Sequence, residues 1–228
     1  MVSGKGSLIE RFNVNNRMQD LIKRFNAIDL YPVISAEQSF HKDPVYILDE
    51  ILKTDVKIVQ LREKSLSKKD LYELAMIFRE KTFNKKVLFI VNNDIDIALA
   101  VNADGVHLGN DDLPLKVARK LAPNLIIGKS SHNMKEAIEA KEFGADYINV
   151  GPIFETPTKQ GMKAVGIEAF TKISNQIDIP ITVMGGINKE NISTCLEAGA
   201  NKVAMIRGII ENSIIEDVNN LYKVYSRF

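Results

Sequence analysis

Cysteine is nearly absent from this chain. The single Cys195 excludes an intramolecular disulfide and a cysteine-rich zinc cage, which suits a reducing cytosol. An excess of one charge is missing too. The formal net charge is +1, so no bulk field draws nucleic acid or an acidic membrane, and basic residues are dispersed among acids. Any anion must therefore be met by locally placed cations and backbone amides. No apolar run approaches the ~18 residues of a membrane span, and the opening MVSGKGSLIE lacks a signal-peptide core. A Pro- or Ser-rich linker, a Ser-His-Asp order and a His-rich metal spacing are also lacking. The expectation is a cytoplasmic protein whose partners are small molecules, with no nucleic acid or membrane and a homo-oligomer left open. The 228 residues, 45% hydrophobic and 26% charged, suffice for one large core of barrel or doubly wound type.

What is present is organised around residues 89–112, FIVNNDIDIALAVNADGVHLGNDD. Two strand-like runs, FIV and GVHL, each break into Asn and Asp, with one helix-length segment between them. Strand, helix and strand in that order place oxygen ligands side by side on one rim of a parallel sheet. Eight such β-branched runs alternate with helical patterns: LYPVIS, VKIVQLRE, VLFIV, GVHL, LIIGKS, YINVG, ITVMG and KVAMI. That is roughly 25 residues per unit, which fits a (β/α)8 TIM barrel, whereas a doubly wound sheet usually needs fewer strands. In SKKDLYELAMIFREKTF, Leu71, Leu74, Ala75 and Phe78 have helical spacing. The tails VNADGV, FGADYI and AGANKV repeat one helix-to-strand turn, where Gly or Asn takes a left-handed cap. MVSGKG reads as a disordered start or an expression remnant. Residues 7–26 carry a mixed amphipathic pattern, a lid or packing helix outside the repeat. The division expected is an N-terminal extension, 1–27, and a barrel, 28–228.

Four places carry candidate chemistry. In VKIVQLREK, alternation puts Gln60, Arg62 and Lys64 on the face of Val56 and Ile58, and turns Val59 and Leu61 the other way. A covered strand face that becomes cationic at its end either meets an anion, such as a phosphate cluster, or pairs with a carboxylate such as Glu63. Asn92, Asn93 and Asp94 end the third strand; Asn110, Asp111 and Asp112 follow the fourth. These are hard oxygen ligands of the kind Mg²⁺ takes together with phosphate and water. They also suit capping, with Asn93 as an N-cap and Asp111 or Asp112 leading the helix at Pro114. The loop GPIFETPTKQGMKAVG, residues 151–166, offers Thr156, Thr158 and Lys159 to an anion, with Gly151 and Gly161 as hinges, or is a solvated surface loop. Gly185 and Gly186 follow the seventh strand, and Ile206, Arg207 and Gly208 the eighth, where such barrels hold phosphate. His107 and His132 read as structural hydrogen-bonding groups more readily than as bases.

The stretches VQLREK, FIVNND, ADGVHLGNDD, GKSSH, GPIFETPTK, MGGI and MIRGI, in this order from about Leu30 to the last helix, resemble the thiamine phosphate synthase family. The resemblance implies a transferase that joins 4-amino-2-methyl-5-(diphosphooxymethyl)pyrimidine to 4-methyl-5-(2-phosphooxyethyl)thiazole, releasing diphosphate. It also implies roles. Gln60, Leu61, Arg62, Glu63, Lys64, Asn92, Ser130 and Lys159 would hold the pyrimidine diphosphate. Thr156, Pro157, Thr158 and Gly186, with the Ile206 and Arg207 backbone, would hold the thiazole phosphate. Asn93 and Asp112 would ligate Mg²⁺. Arg62, Lys64 and Lys159 would stabilise the leaving group, with no protein nucleophile. Two positions depart from the family pattern. Asn93 stands where the family usually has Asp, which weakens the metal unless Asp94 or Asp111 substitutes. Arg207 stands where it usually has Ser, adding a phosphate contact or blocking the pocket. Rival readings are a thiazole tautomerase using His132 for proton transfer, and a regulator that binds thiamine phosphate without catalysis.

Overall fold

A computed structural model describes residues 8–156 and 163–228. The strands are β1 Leu30–Ile34, β2 Ile58–Leu61, β3 Leu88–Asn92, β4 Gly105–Leu108, β5 Ile126–Ser131, β6 Tyr147–Val150, β7 Ile181–Val183 and β8 Val203–Met205. Each pairs in parallel with its successor, and β8 pairs back with β1, closing the barrel. The helices are α1 Leu8–Asn26, α2 Pro44–Ile51, α3 Lys68–Lys85, α4 Ile95–Ala100, α5 Leu115–Leu121, α6 Met134–Glu142, α7 Ile167–Ser174, α8 Ile192–Glu197 and α9 Ile214–Tyr225. Among the described residues, none is long and apolar enough to cross a membrane. All eight strand-like runs of the sequence are strands here, and the architecture is a (β/α)8 barrel.

Local sequence explains the elements. The amphipathic reading of α3 holds, with Leu71, Ala75 and Phe78 buried, and Ser67 caps it by accepting the Asp70 N–H at 3.1 Å. The repeated turn is a left-handed cap each time. Asn102, Gly144 and Gly199 have φ of 52°, 91° and 89°, and the next residues, Ala103, Ala145 and Ala200, each donate their N–H 2.9 Å to the carbonyl five residues back. Those three alanines are buried, so one device both ends the helix and aims the next strand into the core.

Side chains pack in two shells. Leu30, Ile34, Val59, Leu61, Phe89, Val91 and their counterparts face the helices, while Tyr31, Val33, Ile58, Leu88, Ile90, Ile126 and Tyr147 fill the barrel. The face expected for β2 needs one correction: Val56 packs with the outer shell, because the pleat begins only at Ile58 and the period of two does not extend before it. The helix expected over residues 7–26 is observed as α1, Leu8–Asn26, and it is a packing helix. Leu21 and Phe25 of α1 join the barrel-interior cluster, and the Phe25 ring lies 4.3 Å from that of Tyr147. Since the catalytic rim of such a barrel is at the opposite, C-terminal ends of the strands, α1 is a plug and not a lid.

Candidate functional site

Polar residues enter the barrel from its inward positions. Gln60 Nε2 donates to the Tyr31 hydroxyl at 2.9 Å, and that hydroxyl lies 3.1 Å from Tyr147 Oη. His107 bridges onward, its Nδ1 3.0 Å from Tyr147 Oη and its Nε2 3.0 Å from Ser130 Oγ. Burial pushes the Tyr147 phenol well above its ordinary pKa, so the ladder is made of neutral hydroxyls. Tyr31 and Tyr147 were not singled out from sequence. The available signal was a polar atom at an inward position of a buried parallel strand, which also marks Asn149 and Thr182, joined at 2.8 Å.

Above this ladder is a cavity of about 100 Å³, lined by Gln60, Arg62, Lys64, Asn92, Asn93 and Ser130 among others. Arg62 Nη1 is buried and has no hydrogen-bond partner. Burial lowers the Arg62 pKa, with Glu37 and Glu63 opposing that effect. Pairing with Glu63 is not what the structure shows, since Glu63 Oε1 accepts the Ala36 N–H at 2.6 Å and braces the end of β1. The Glu63 side chain is thus engaged by the β1–α2 loop. Leu61 faces the helices, as its odd position in the pleat dictates, and only its backbone reaches the rim.

A second cavity, of about 290 Å³, shares Ser130, Asn149, Met184 and Ala204 with the first. Thr156, Gly186, Ile206 and Arg207 line it. Gly185 and Gly186 have φ of 99° and 65°, and a Cβ on Gly186 would lie 2.5 Å from the Glu155 carbonyl. The glycines let two loops touch, and Asn191 Nδ2 holds the Gly186 carbonyl at 2.8 Å. Gly151 lets the chain pass close to β7's end, for a Cβ there would meet Met184 O at 2.3 Å. The Arg207 guanidinium turns back to the β1–α2 loop, donating to the Gln38 carbonyl at 3.3 Å and lying 5.6 Å from the Phe40 ring centre. Arg207 lines the larger cavity with its guanidinium anchored on this loop. Pro157, Thr158, Lys159 and Gly161 lie outside the described residues.

The metal candidates sit at the rim. Asn93 adopts φ 66°, and its Oδ1 accepts from Asn92 Nδ2. Asp112 Oδ2 accepts the Gly109 N–H at 2.6 Å. Capping does not account for them: α4 is led by Asp94 and α5 by Pro114, neither with a side-chain cap. Asp94 is engaged by Lys68, which also pairs with Asp96. Among the described residues no group of three His, Cys, Asp or Glu is placed for a metal. One carboxylate and one carboxamide fit a Mg²⁺ that takes its other ligands from phosphate and water. Beside them, His132 Nδ1 lies 2.9 Å from Glu136 Oε2. Burial raises the Glu136 pKa, but hydrogen bonds from Asn110 and His132 outweigh it and hold the carboxyl at about 2.

The arrangement has known counterparts. A family model described as "Thiamine monophosphate synthase" matches residues 30–209. A thiamine-phosphate synthase of Clostridium acetobutylicum is 42% identical over 189 residues, 82% of this chain and 90% of the relative. One from Caldanaerobacter subterraneus subsp. tengcongensis is 37% identical over 204 residues, 88% of this chain and 95% of the relative. The solved structure of a thiamine phosphate pyrophosphorylase from Pyrococcus furiosus superposes with a TM-score of 0.82 at 33% identity, covering 91% of this chain and 98% of that one. Sequence and barrel agree with these matches, and the chain belongs to the thiamine monophosphate synthase family.

Proposed function

We propose that this chain couples 4-amino-2-methyl-5-(diphosphooxymethyl)pyrimidine with 4-methyl-5-(2-phosphooxyethyl)thiazole, giving thiamine phosphate and diphosphate. The observation that carries the reading is Arg62 Nη1, a buried cationic donor with no partner, beside Lys64 in a small cavity that opens into a larger glycine-walled one. An unpaired buried charge is costly, and an anionic ligand removes that cost. Two joined cavities suit two substrates.

In this reading Gln60, Asn92 and Ser130 orient the pyrimidine, and Arg62, Lys64 and Lys159 take the diphosphate. Thr156, Pro157, Thr158, Gly186 and the backbone of Ile206 and Arg207 receive the thiazole phosphate. The C–O bond to diphosphate breaks, its electron pair leaving with the diphosphate, and the thiazole nitrogen forms the new C–N bond to the methylene carbon. The pyrimidine amino group stabilises cationic character on that carbon. The protein's share is to neutralise charge growing on the leaving oxygens and to hold the nitrogen in line. Asp112 and Asn93 would hold Mg²⁺, which supplies further positive charge to the diphosphate when bound. No protein nucleophile is needed. Residues 1–27 are an extension to the catalytic barrel, 28–228, and the place of work is the cytosol.

A coupled diphosphate-release assay with each substrate alone and both together tests this. Release that requires both, with thiamine phosphate as product, is expected. Turnover of the thiazole alone would transfer the site to a His132-dependent tautomerase. Binding of thiamine phosphate without any release would make the chain a regulator.

A further inference from the structure

Lys129 lies at the diphosphate rim, yet none of the roles above uses it. On β5, Ile126 fills the barrel interior and Ser130 reaches His107, while Ile127 packs among the helices. Alternation sends Lys129 out on the Ile127 side, behind the β4–α5 loop, where its ammonium donates to the Gly109 carbonyl. The N–H of the same Gly109 donates to Asp112 Oδ2 at 2.6 Å. One peptide residue thus carries a cation on its carbonyl and the candidate metal-binding carboxylate on its amide. A Cβ at Gly109 would already lie 3.3 Å from that carboxylate oxygen, so the three groups are closely packed. The charges nearest the Lys129 ammonium are Asp112, Glu136 and Asp111. Glu136 is committed to His132 and Asn110, and the other rim position, Asn93, brings no charge.

We propose that Lys129 is a resident cation of the rim: placed behind Gly109 beside Asp112, with Asn93 neutral, it leaves the ligand-free protein without a divalent-cation site, so that Mg²⁺ enters only in complex with diphosphate. The proposal rests on the diphosphate reading above. A unit charge acting on a dication through a wet rim alters its binding about tenfold. Lys129 withholds that factor from a free ion. A metal–diphosphate complex carries net negative charge, so the same ammonium favours its entry.

The test uses the full chain and Mn²⁺, with the electron paramagnetic resonance signal of the free ion as readout. Native protein alone is expected to bind Mn²⁺ about tenfold more weakly than K129Q, which keeps a donor for the Gly109 carbonyl without the charge. K129R is expected to match native, and N93D to gain by a similar factor. Inorganic diphosphate is expected to let the native chain capture Mn²⁺. Equal affinity for Mn²⁺ alone in native, K129Q and the K129Q/N93D double variant, whether tight or undetectable, overturns the proposal. A chain that joins both substrates yet binds Mn²⁺ alone as K129Q does would sink this inference and leave the synthase reading standing. A chain that needs diphosphate to capture Mn²⁺ but joins nothing would do the reverse.

Discussion

Replacing Arg62 by Met separates a binding residue from a structural one. Met keeps an apolar stem of similar length in the Arg62 channel and removes the guanidinium. In the ligand-free protein that guanidinium does little for the fold, since Nη1 is buried without a partner and the adjacent carboxylate of Glu63 serves the Ala36 amide. Removing an uncompensated buried donor therefore leaves stability unchanged or raises it by about 1 kcal/mol. The bound state is different. A charge-assisted hydrogen bond to phosphate is worth about 1.5–3 kcal/mol, so diphosphate affinity should fall roughly 10- to 100-fold. R62K, which keeps the charge and loses the planar fork, should lie between the two. Calorimetric titration with diphosphate gives the affinities, and urea unfolding without ligand gives the stabilities. A variant that loses more than about 2 kcal/mol of stability while binding diphosphate as before would refute the reasoning, because Arg62 would then hold the barrel rather than the ligand.

Gly186→Ala places a methyl 2.5 Å from the Glu155 carbonyl at a residue with φ 65°, so it should cost about 2 kcal/mol or more in chemical unfolding and raise KM for the thiazole phosphate over that for the pyrimidine. The Glu136 carboxyl is depressed from its ordinary 4.5 to about 2, so its stabilising effect is complete above pH 4.5 and fades as the pH falls towards 2. Glu136→Gln should accordingly be less stable than native at neutral pH, with the gap closing across that acid window in urea titrations. A gap that stays constant with pH would count against a carboxylate held down by the hydrogen bonds from Asn110 and His132. Phe25→Ala empties the plug beneath Tyr147 and should cost about 3–5 kcal/mol, read as a lowered melting temperature.

The barrel was legible because its signal is repeated. Each helix-to-strand tail has Asn or Gly where φ turns positive and a small residue directly after it, so pattern and backbone chemistry point the same way. The cationic end of β2 was legible for a similar reason: Gln60 and Arg62 sit two apart on a strand that is covered on both faces. Legibility failed where a residue's partner is distant in sequence. Asp94 is a ligand candidate by type and spacing, yet Lys68, at the start of α3, holds it. Arg207 stands beside a phosphate site in sequence, but Gln38, 169 residues away, takes its guanidinium. Glu63 looked like the partner of its neighbour Arg62. Adjacent residues in extended chain point apart, so the carboxylate went to the loop after β1 instead.

Most barrels of this kind fill their interior with aliphatic layers. Here the interior also holds two tyrosines, a glutamine and a histidine, and their polar atoms answer one another from Gln60 through Tyr31, Tyr147 and His107 to Ser130. The tyrosine rings fit only because β5 has no side chain at Gly128, where a Cβ would fall 2.1 Å from Tyr147 Cζ. The Phe25 ring packs against these tyrosines, so a residue of α1 helps to fix the middle of a chain of hydrogen bonds that ends at a hydroxyl in both cavities. Residue 25 precedes the stretch matched by the family model, which begins at 30. The helix that lies outside the matched region therefore bears on the site through packing: if Phe25 sets the tilt of Tyr147, it also sets where His107 and the Ser130 hydroxyl can stand.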